Sequence, residues 1–273
     1  MKRLLLALAA LLAAPLPAAA RQADGVKAHA VAPAALDPAK AYLLYRSSTA
    51  KSGLFPITQI LVRVPSDAEM TAFRTARAAA YAAALPKLRE KAKGGPVPSI
   101  EQWSFDDYKG PSNAFGLPSK DFLEDGELRS YLLEVPPGDY VLYGISLSGG
   151  SVVTCNCLGT VKFSARPGVM TFLGALYADK VHKASPVPHL EDNLGEQMFQ
   201  YGFVFGAGLV PADAQTPVPA PVAALPLTLA EFHAVGPFRQ PGASGINRLP
   251  PVPGVLGYER GRPIDLRTGK PAE

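Results

Sequence analysis

The chain's only two cysteines, Cys155 and Cys157, stand one residue apart in SVVTCNCLGTVKF. Two thiols so close suit three chemistries: a local disulfide, a soft-metal clip or a thiol redox pair. In a straight strand, residues two apart are about 6.6–6.8 Å apart and face the same side. That lies at the upper edge of disulfide geometry, so a bond between them needs the chain to bend at Asn156. Asn tolerates left-handed backbone and Leu158-Gly159 follows, so a bend or bulge fits the sequence. A Cu(I) site is served by few soft ligands, yet the nearest Met or His, Met170, is fifteen residues from Cys155. A zinc site would need two further ligands from His182, His189 or His233, and no spacing places them. The local disulfide leads; buried unpaired thiols and a metal or redox role stay open.

The other reactive-looking clusters carry weaker signals. VHKASPVPHLED gathers His182, His189, Glu191 and Asp192 in one loop-like run, without a zinc signature. In GISLSGG, Gly144-x-Ser146 begins a nucleophile elbow, but Ser148 replaces the second Gly and no helix follows, which excludes that motif. LEDGELRS holds Glu124, Asp125 and Glu127 in a turn-like stretch where carboxylates stay solvated. No phosphate-binding Gly loop, dinucleotide fingerprint or zinc-protease motif occurs.

These residues are carried by a chain whose pattern is mainly β. AYLLYRSS (41–48) and ITQILVRV (57–64) read as strands. Ser66 with Glu69 makes a capping box, and Met70, Phe73, Tyr81, Leu85 and Leu88 recur at helical spacing, which predicts a helix over 66–92 with a kink or end at Pro86. Residues 93–126 are loop-like, with Trp103 as a packing anchor. From 129, runs of about eight residues are punctuated by Pro-Gly, Gly-Gly and Arg-Pro-Gly, the cadence of an antiparallel meander. In MFQYGFVFG, Phe199, Tyr201, Phe203 and Phe205 alternate with their neighbours and share one face of a core strand.

The ends differ in kind. MKRLLLALAALLAAPLPAAA has a basic start at Lys2 and Arg3, an apolar run Leu4 to Ala14 and a small-residue site ending at Ala20. This is the pattern of a signal peptide over 1–20, too short for a comfortable membrane span. Losing Lys2 and Arg3 brings the net charge from +4 to +2, too little to argue for nucleic acid or an anionic membrane surface. Residues 21–40 read as a flexible leader, 41–210 as the β domain, 211–226 as a Pro/Ala linker and 227–273 as an irregular Pro/Gly-rich strap. The strap keeps Phe238, Ile246, Leu249, Val255, Leu256 and Tyr258, more apolar residues than a disordered tail holds, so it is expected to pack on the domain or on a partner.

EVPPGDYVLYGI followed by LGTVKFSARPGVMTFLG resembles the turn-and-strand pattern of small exported β-sandwich domains, the transthyretin-like and carboxypeptidase-regulatory-like sandwiches. AYLLYR and the tail NRLPPVPGVLGYERGRPID are similar to exported envelope proteins of proteobacteria. The resemblance implies an antiparallel β-sandwich, transthyretin-like or immunoglobulin-like, and a periplasmic or secreted location. It carries over no catalytic residue. The expectation is an exported, non-enzymatic accessory module without a cofactor. It would bind a protein or envelope partner through a sheet edge or the tail. The alternative is a small periplasmic copper-binding or thiol-redox protein using Cys155 and Cys157.

Overall fold

A computed structural model describes residues 25–48, 57–105, 108–117, 122–125, 128–147, 152–178, 207–237 and 245–272. The chain divides into two compact units, one of residues up to Arg63 and from Ala114 on, the other Val64–Asn113. The first is mainly β.

Its first sheet is organised around β2 (Ala41–Ser48), the AYLLYRSS segment. On one side β2 pairs antiparallel with β6 (Leu128–Val135), Ala41 opposite Val135 and Tyr45 opposite Tyr131. On the other it pairs parallel with β10 (Met170–Ala178), Tyr42 opposite Met170. Ala41 to Tyr45 are all buried, because both faces of this strand are covered. Inward, Ala41, Leu43 and Tyr45 join the main core. Outward, Tyr42 and Leu44 join a second cluster with Leu132, Met170, Phe172 and Val222.

The outer cluster corrects two sequence expectations. The Pro/Ala linker 211–226 is a cover for the sheet: Val222 is buried in a short 3-10 turn, Ala220–Val222, with Val218 and Leu225 packed beside it. Burying one such valine is worth about 1.5–3 kcal/mol, which a free polyproline spacer would forgo. The flexible leader is likewise partly structured. Lys27–His29 forms β1, antiparallel to β6, and Ala32 and Leu36 pack on the same outer cluster.

Along one edge of β10 two strands share the work. β11 (Ala207–Pro211) pairs antiparallel with Gly174–Ala178, and β12 (Leu227–Leu229) pairs parallel with Met170–Phe172. Gly174 marks the changeover. Its φ is 99°, and a Cβ there would stand 2.2 Å from the Val210 carbonyl oxygen. β5 (Leu123–Asp125) pairs with β6 on the same side of the sheet as β1.

The second sheet follows the order β13 (His233–Val235), β9 (Thr160–Ala165), β7 (Gly138–Leu147), β3 (Ile57–Arg63), β4 (Ala114–Gly116). β8 (Val152–Cys155) also pairs with β7, and β14 (Gly245–Ile246) pairs parallel with β8. Leu61, Phe115, Tyr140, Leu142, Val161 and Phe163 from this sheet share one buried cluster with Leu43, Tyr45, Tyr131, Leu133 and Leu173 from the first. Most pairings are antiparallel, as expected; β2 with β10, β10 with β12 and β8 with β14 are parallel.

The C-terminal residues, expected as an irregular strap, supply β12, β13 and β14 and then a small sheet of β15 (Leu256–Glu259), β16 (Arg262–Asp265) and β17 (Lys270–Pro271). Leu249, Val252 and Leu256 are fully buried in the main cluster. The aromatic run 198–206 lies outside the described residues.

The second unit is built on α1 (Asp67–Ala92), the one helix of its length among the described residues. The capping box forms: Glu69 N–H donates to Ser66 Oγ (3.3 Å) and Ser66 N–H donates to Glu69 Oε2 (2.8 Å). Pro86 neither ends the helix nor confines it to the sequence before it; α1 continues to Ala92 and closes on Lys93 in left-handed conformation. One lost backbone bond is tolerated because the return segment grips the preceding turns. Tyr81 Oη donates to the Pro98 carbonyl (2.7 Å), and Arg77 donates to the Glu101 and Trp103 carbonyls. Trp103 stacks on Phe105 and meets Tyr81 edge-on, while Phe73 meets Tyr108 edge-on.

Burial sets the acid–base behaviour of the β core. Tyr45 stacks on Tyr131 with ring centroids 4.9 Å apart. Burial, with Tyr131 alongside, pushes its hydroxyl well above the usual phenol range. Burial likewise raises Tyr140, against the pull of Arg63, and Tyr143. The neutral phenol is the favoured folded form, so this stability is whole below the unfolded phenol value near 10 and is lost as pH rises toward the folded one. Urea midpoints are expected to hold flat through neutral pH and to fall above about pH 10. A tyrosinate absorbance titration should show these phenols ionising together with loss of structure. Independent ionisation of all ten tyrosines near 10 in a still-folded chain would contradict the burial.

Candidate functional site around Cys155 and Cys157

The geometry begins in β7. Between Leu142 and Gly144 the pairing with β3 shifts register, Leu61 facing Leu142 and Ile60 facing Gly144, which leaves Tyr143 as the bulged residue. Gly144 is required there, since a Cβ would stand 2.0 Å from the Thr154 carbonyl oxygen. Gly144-x-Ser146 is therefore a strand-packing feature, and the elbow reading fails in structure as in sequence. Ser146 sits in β7 between β3 and β8, with its hydroxyl buried and without a partner among the described residues.

β8 ends at Cys155 and the chain turns back over the bulge. Asn156 N–H donates to the Tyr143 carbonyl (2.6 Å) and Asn156 Nδ2 donates to the Leu142 carbonyl (3.3 Å). Thr160 Oγ1 donates to that same carbonyl (2.5 Å), and Gly159 N–H closes the turn on Asn156 O (3.1 Å). The bend that the cysteine spacing demands is thus made at Asn156. It brings the Cα atoms of Cys155 and Cys157 to 5.1 Å and their sulfurs to disulfide distance, 1.96 Å. Both cysteines are buried against Ile60 and Tyr143, with Val62 and Val153 at the margin.

The C-terminal segment closes on this turn. Gly245 and Ile246 run parallel to Thr154 and Cys155. Asn247 N–H donates to Cys155 O (2.7 Å), Leu158 N–H donates to Asn247 O (2.9 Å), and Leu249 N–H donates to Gly159 O (2.8 Å). The Tyr258 hydroxyl donates to Leu249 O, and the Arg248 guanidinium lies 5.3 Å from the Tyr258 ring centroid. Sequence reasoning missed this clasp. Its bonds at Asn247 and Leu249 are backbone to backbone across some ninety residues, and the Tyr258 hydroxyl adds a side-chain bond to Gly159 O (3.5 Å).

Only some of the remaining candidates lie among the described residues. His182, His189, Glu191, Asp192, Glu127 and Ser148 lie outside the described residues; Glu124 and Asp125 are in β5. His233 is in β13, where Glu231 accepts from Arg267 Nη2 (2.7 Å) and His233 lies 3.8 Å from the same carboxylate. The Arg267 hydrogen bond first, then the charges of Arg267, His233 and Arg166, holds exposed Glu231 below the usual carboxylate range. A pairing that the sequence did not signal joins His29 to Glu134 at 3.3 Å between β1 and β6. Among the described residues no three His, Cys, Asp or Glu side chains gather as a metal group. No helix among them is long and apolar enough to cross a membrane. Compared with protein-family models, curated proteins and solved structures, the chain matches none.

Proposed function

We propose that this chain is an exported envelope protein acting as a non-enzymatic accessory module, a β-sandwich that binds a protein or envelope partner through a sheet edge. One observation carries the reading: the described candidates for covalent or metal chemistry are tied to each other, buried within a strand or paired with an arginine. Cys155 and Cys157 meet each other inside a buried turn, Ser146 is locked in a strand, and His233 with Glu231 serves Arg267. The shared cluster between the two sheets supports the sandwich. A cysteine pair at bonding distance suits an oxidising compartment, and with the sequence of residues 1–20 it supports export. Because the tail contributes strands to both sheets, a sheet edge is favoured over a free tail as the contact. Sulfurs held at bonding distance leave no thiolate for Cu(I), so the copper reading falls behind.

Fractionation and intact mass test the proposal. The envelope fraction should hold a chain beginning after Ala20 that gains about 2 Da on reduction. Crosslinking in intact cells should give a discrete adduct. A cytosolic chain with its first twenty residues retained, or a purified chain that keeps stoichiometric copper, would displace the reading.

A further inference from the structure

We infer that Gly245–Arg248 is a redox-sensitive latch: the bond between Cys155 and Cys157 shapes the turn that this segment grips, and opening the bond releases it. The inference goes beyond partner binding and requires only that the two cysteines be bonded. It stands on where the clasp's hydrogen bonds fall. The backbone of Asn247 brackets the cysteine loop, its N–H on Cys155 O and its C=O on Leu158 N–H. Those two groups flank Asn156 and Cys157, the residues that a bridge compresses. With Cys155 and Cys157 held at a Cα separation of 5.1 Å, one residue spans both groups. Freed, the turn is left to the hydrogen bonds at Asn156 and Gly159, and opening toward the extended spacing of about 6.6–6.8 Å loses the match to the Asn247 backbone.

The segment is poised to lift without taking the core with it. Its end is fixed at Leu249, whose side chain is fully buried and whose N–H reaches Gly159 O, beyond the bridged loop. Ahead of that anchor the hold includes the two-residue ladder of β14, the bonds of buried Asn247 and Arg248 over the Tyr258 ring; Ile246 is 52 % exposed. Lifting therefore uncovers the edge of β8, a row of backbone donors and acceptors able to take an extended peptide.

The chemical step is ordinary thiol–disulfide exchange with a dithiol reductant. One reductant thiolate attacks a cysteine sulfur, forming a mixed disulfide and expelling the other cysteine as thiolate. The second reductant thiol then displaces the remaining cysteine and closes its own disulfide. Two electrons and two protons pass to the chain, and the reductant leaves oxidised. By linkage, whatever opening the bond costs the latch, releasing the latch costs the bond the same.

Amide hydrogen exchange on the full mature chain, oxidised and then reduced with dithiothreitol, tests this. Reduction should speed exchange at Asn247 and Leu158 about tenfold, within the roughly 5–150-fold range usual for coupled sites. Leu249 and Leu133 should keep their protection. The double variant Cys155→Ser, Cys157→Ser should behave like the reduced chain. Unchanged exchange at Asn247 and Leu158 after a mass gain of about 2 Da would overturn the latch. So would equal acceleration at all four amides, which would make the bond a support of the whole fold. No mass gain after reduction in denaturant would mean no bond exists; the inference would then fall while partner binding stood.

Discussion

Gly174→Ala is expected to cost about 2–6 kcal/mol, a large part of an ordinary domain's stability, read as a lowered midpoint in urea unfolding. Two penalties combine at this residue. A φ of 99° is left-handed backbone, which costs a non-glycine residue roughly 1–3 kcal/mol. The new methyl would also stand 2.2 Å from Val210 O and 2.4 Å from Ala212 N, backbone atoms of the paired strand that cannot rotate aside. Overpacking of that kind adds about 1–3 kcal/mol or more. Gly269→Ala is the matched control: its φ is 69° and no atom lies within 4 Å of where the methyl would stand, so only the conformational penalty applies. A midpoint shift at Gly174 no larger than at Gly269 would show that β11 yields and that the close approach is not required.

Ending the chain at Ser244 is expected to abolish cooperative unfolding. The truncation removes Leu249, Val252 and Leu256, each fully buried in the cluster shared by the two sheets. Each contributes about 1.5–3 kcal/mol by burial. Three backbone bonds to the cysteine turn and its flank go as well, at about 0.5–1.5 kcal/mol apiece. Those losses rival the whole stability of an ordinary domain, about 5–15 kcal/mol. Far-ultraviolet circular dichroism and urea titration of the truncated chain provide the measurement. A sharp transition at an unchanged midpoint would restore the tail to a detachable strap.

Both predictions rest on long-range features, while the local ones were legible in the sequence. AYLLYRSS is β2 to the residue, and the Ser66/Glu69 box opens α1, because local periodicity and capping chemistry write themselves into consecutive residues. The need for a bend at Asn156 was likewise legible, since the cysteine spacing alone imposes it. What stayed hidden was long-range. Val218, Val222 and Leu225 sit in a Pro/Ala run whose composition reads as solvated spacer, yet the outer face of β2 and β10 supplies an apolar surface for them. Val255 and Leu256 are legible as apolar residues of a tail that packs, but their place with Val252 in the core between the sheets is not. Gly174 and Gly144 look like ordinary strand glycines; only the partner strand's carbonyls reveal why no other residue fits. The clasp on the cysteine turn is the extreme case, being made mostly of backbone groups that every residue carries, with the Tyr258 hydroxyl added.

The strand order carries a consequence for how the molecule is made. β2 waits for β10 on one side, β10 waits for β12, and β9 waits for β13 from the last stretch of the chain. On a ribosome or at a translocation pore, the first sheet cannot be completed until Leu227–Leu229 has emerged, and the second waits for Gly245–Ile246. Until then the nascent chain displays half-built sheets with open edges, the form most prone to pairing with a neighbour. A holding chaperone is therefore most useful to this protein late in its synthesis, and its final strands act as the closing stitch.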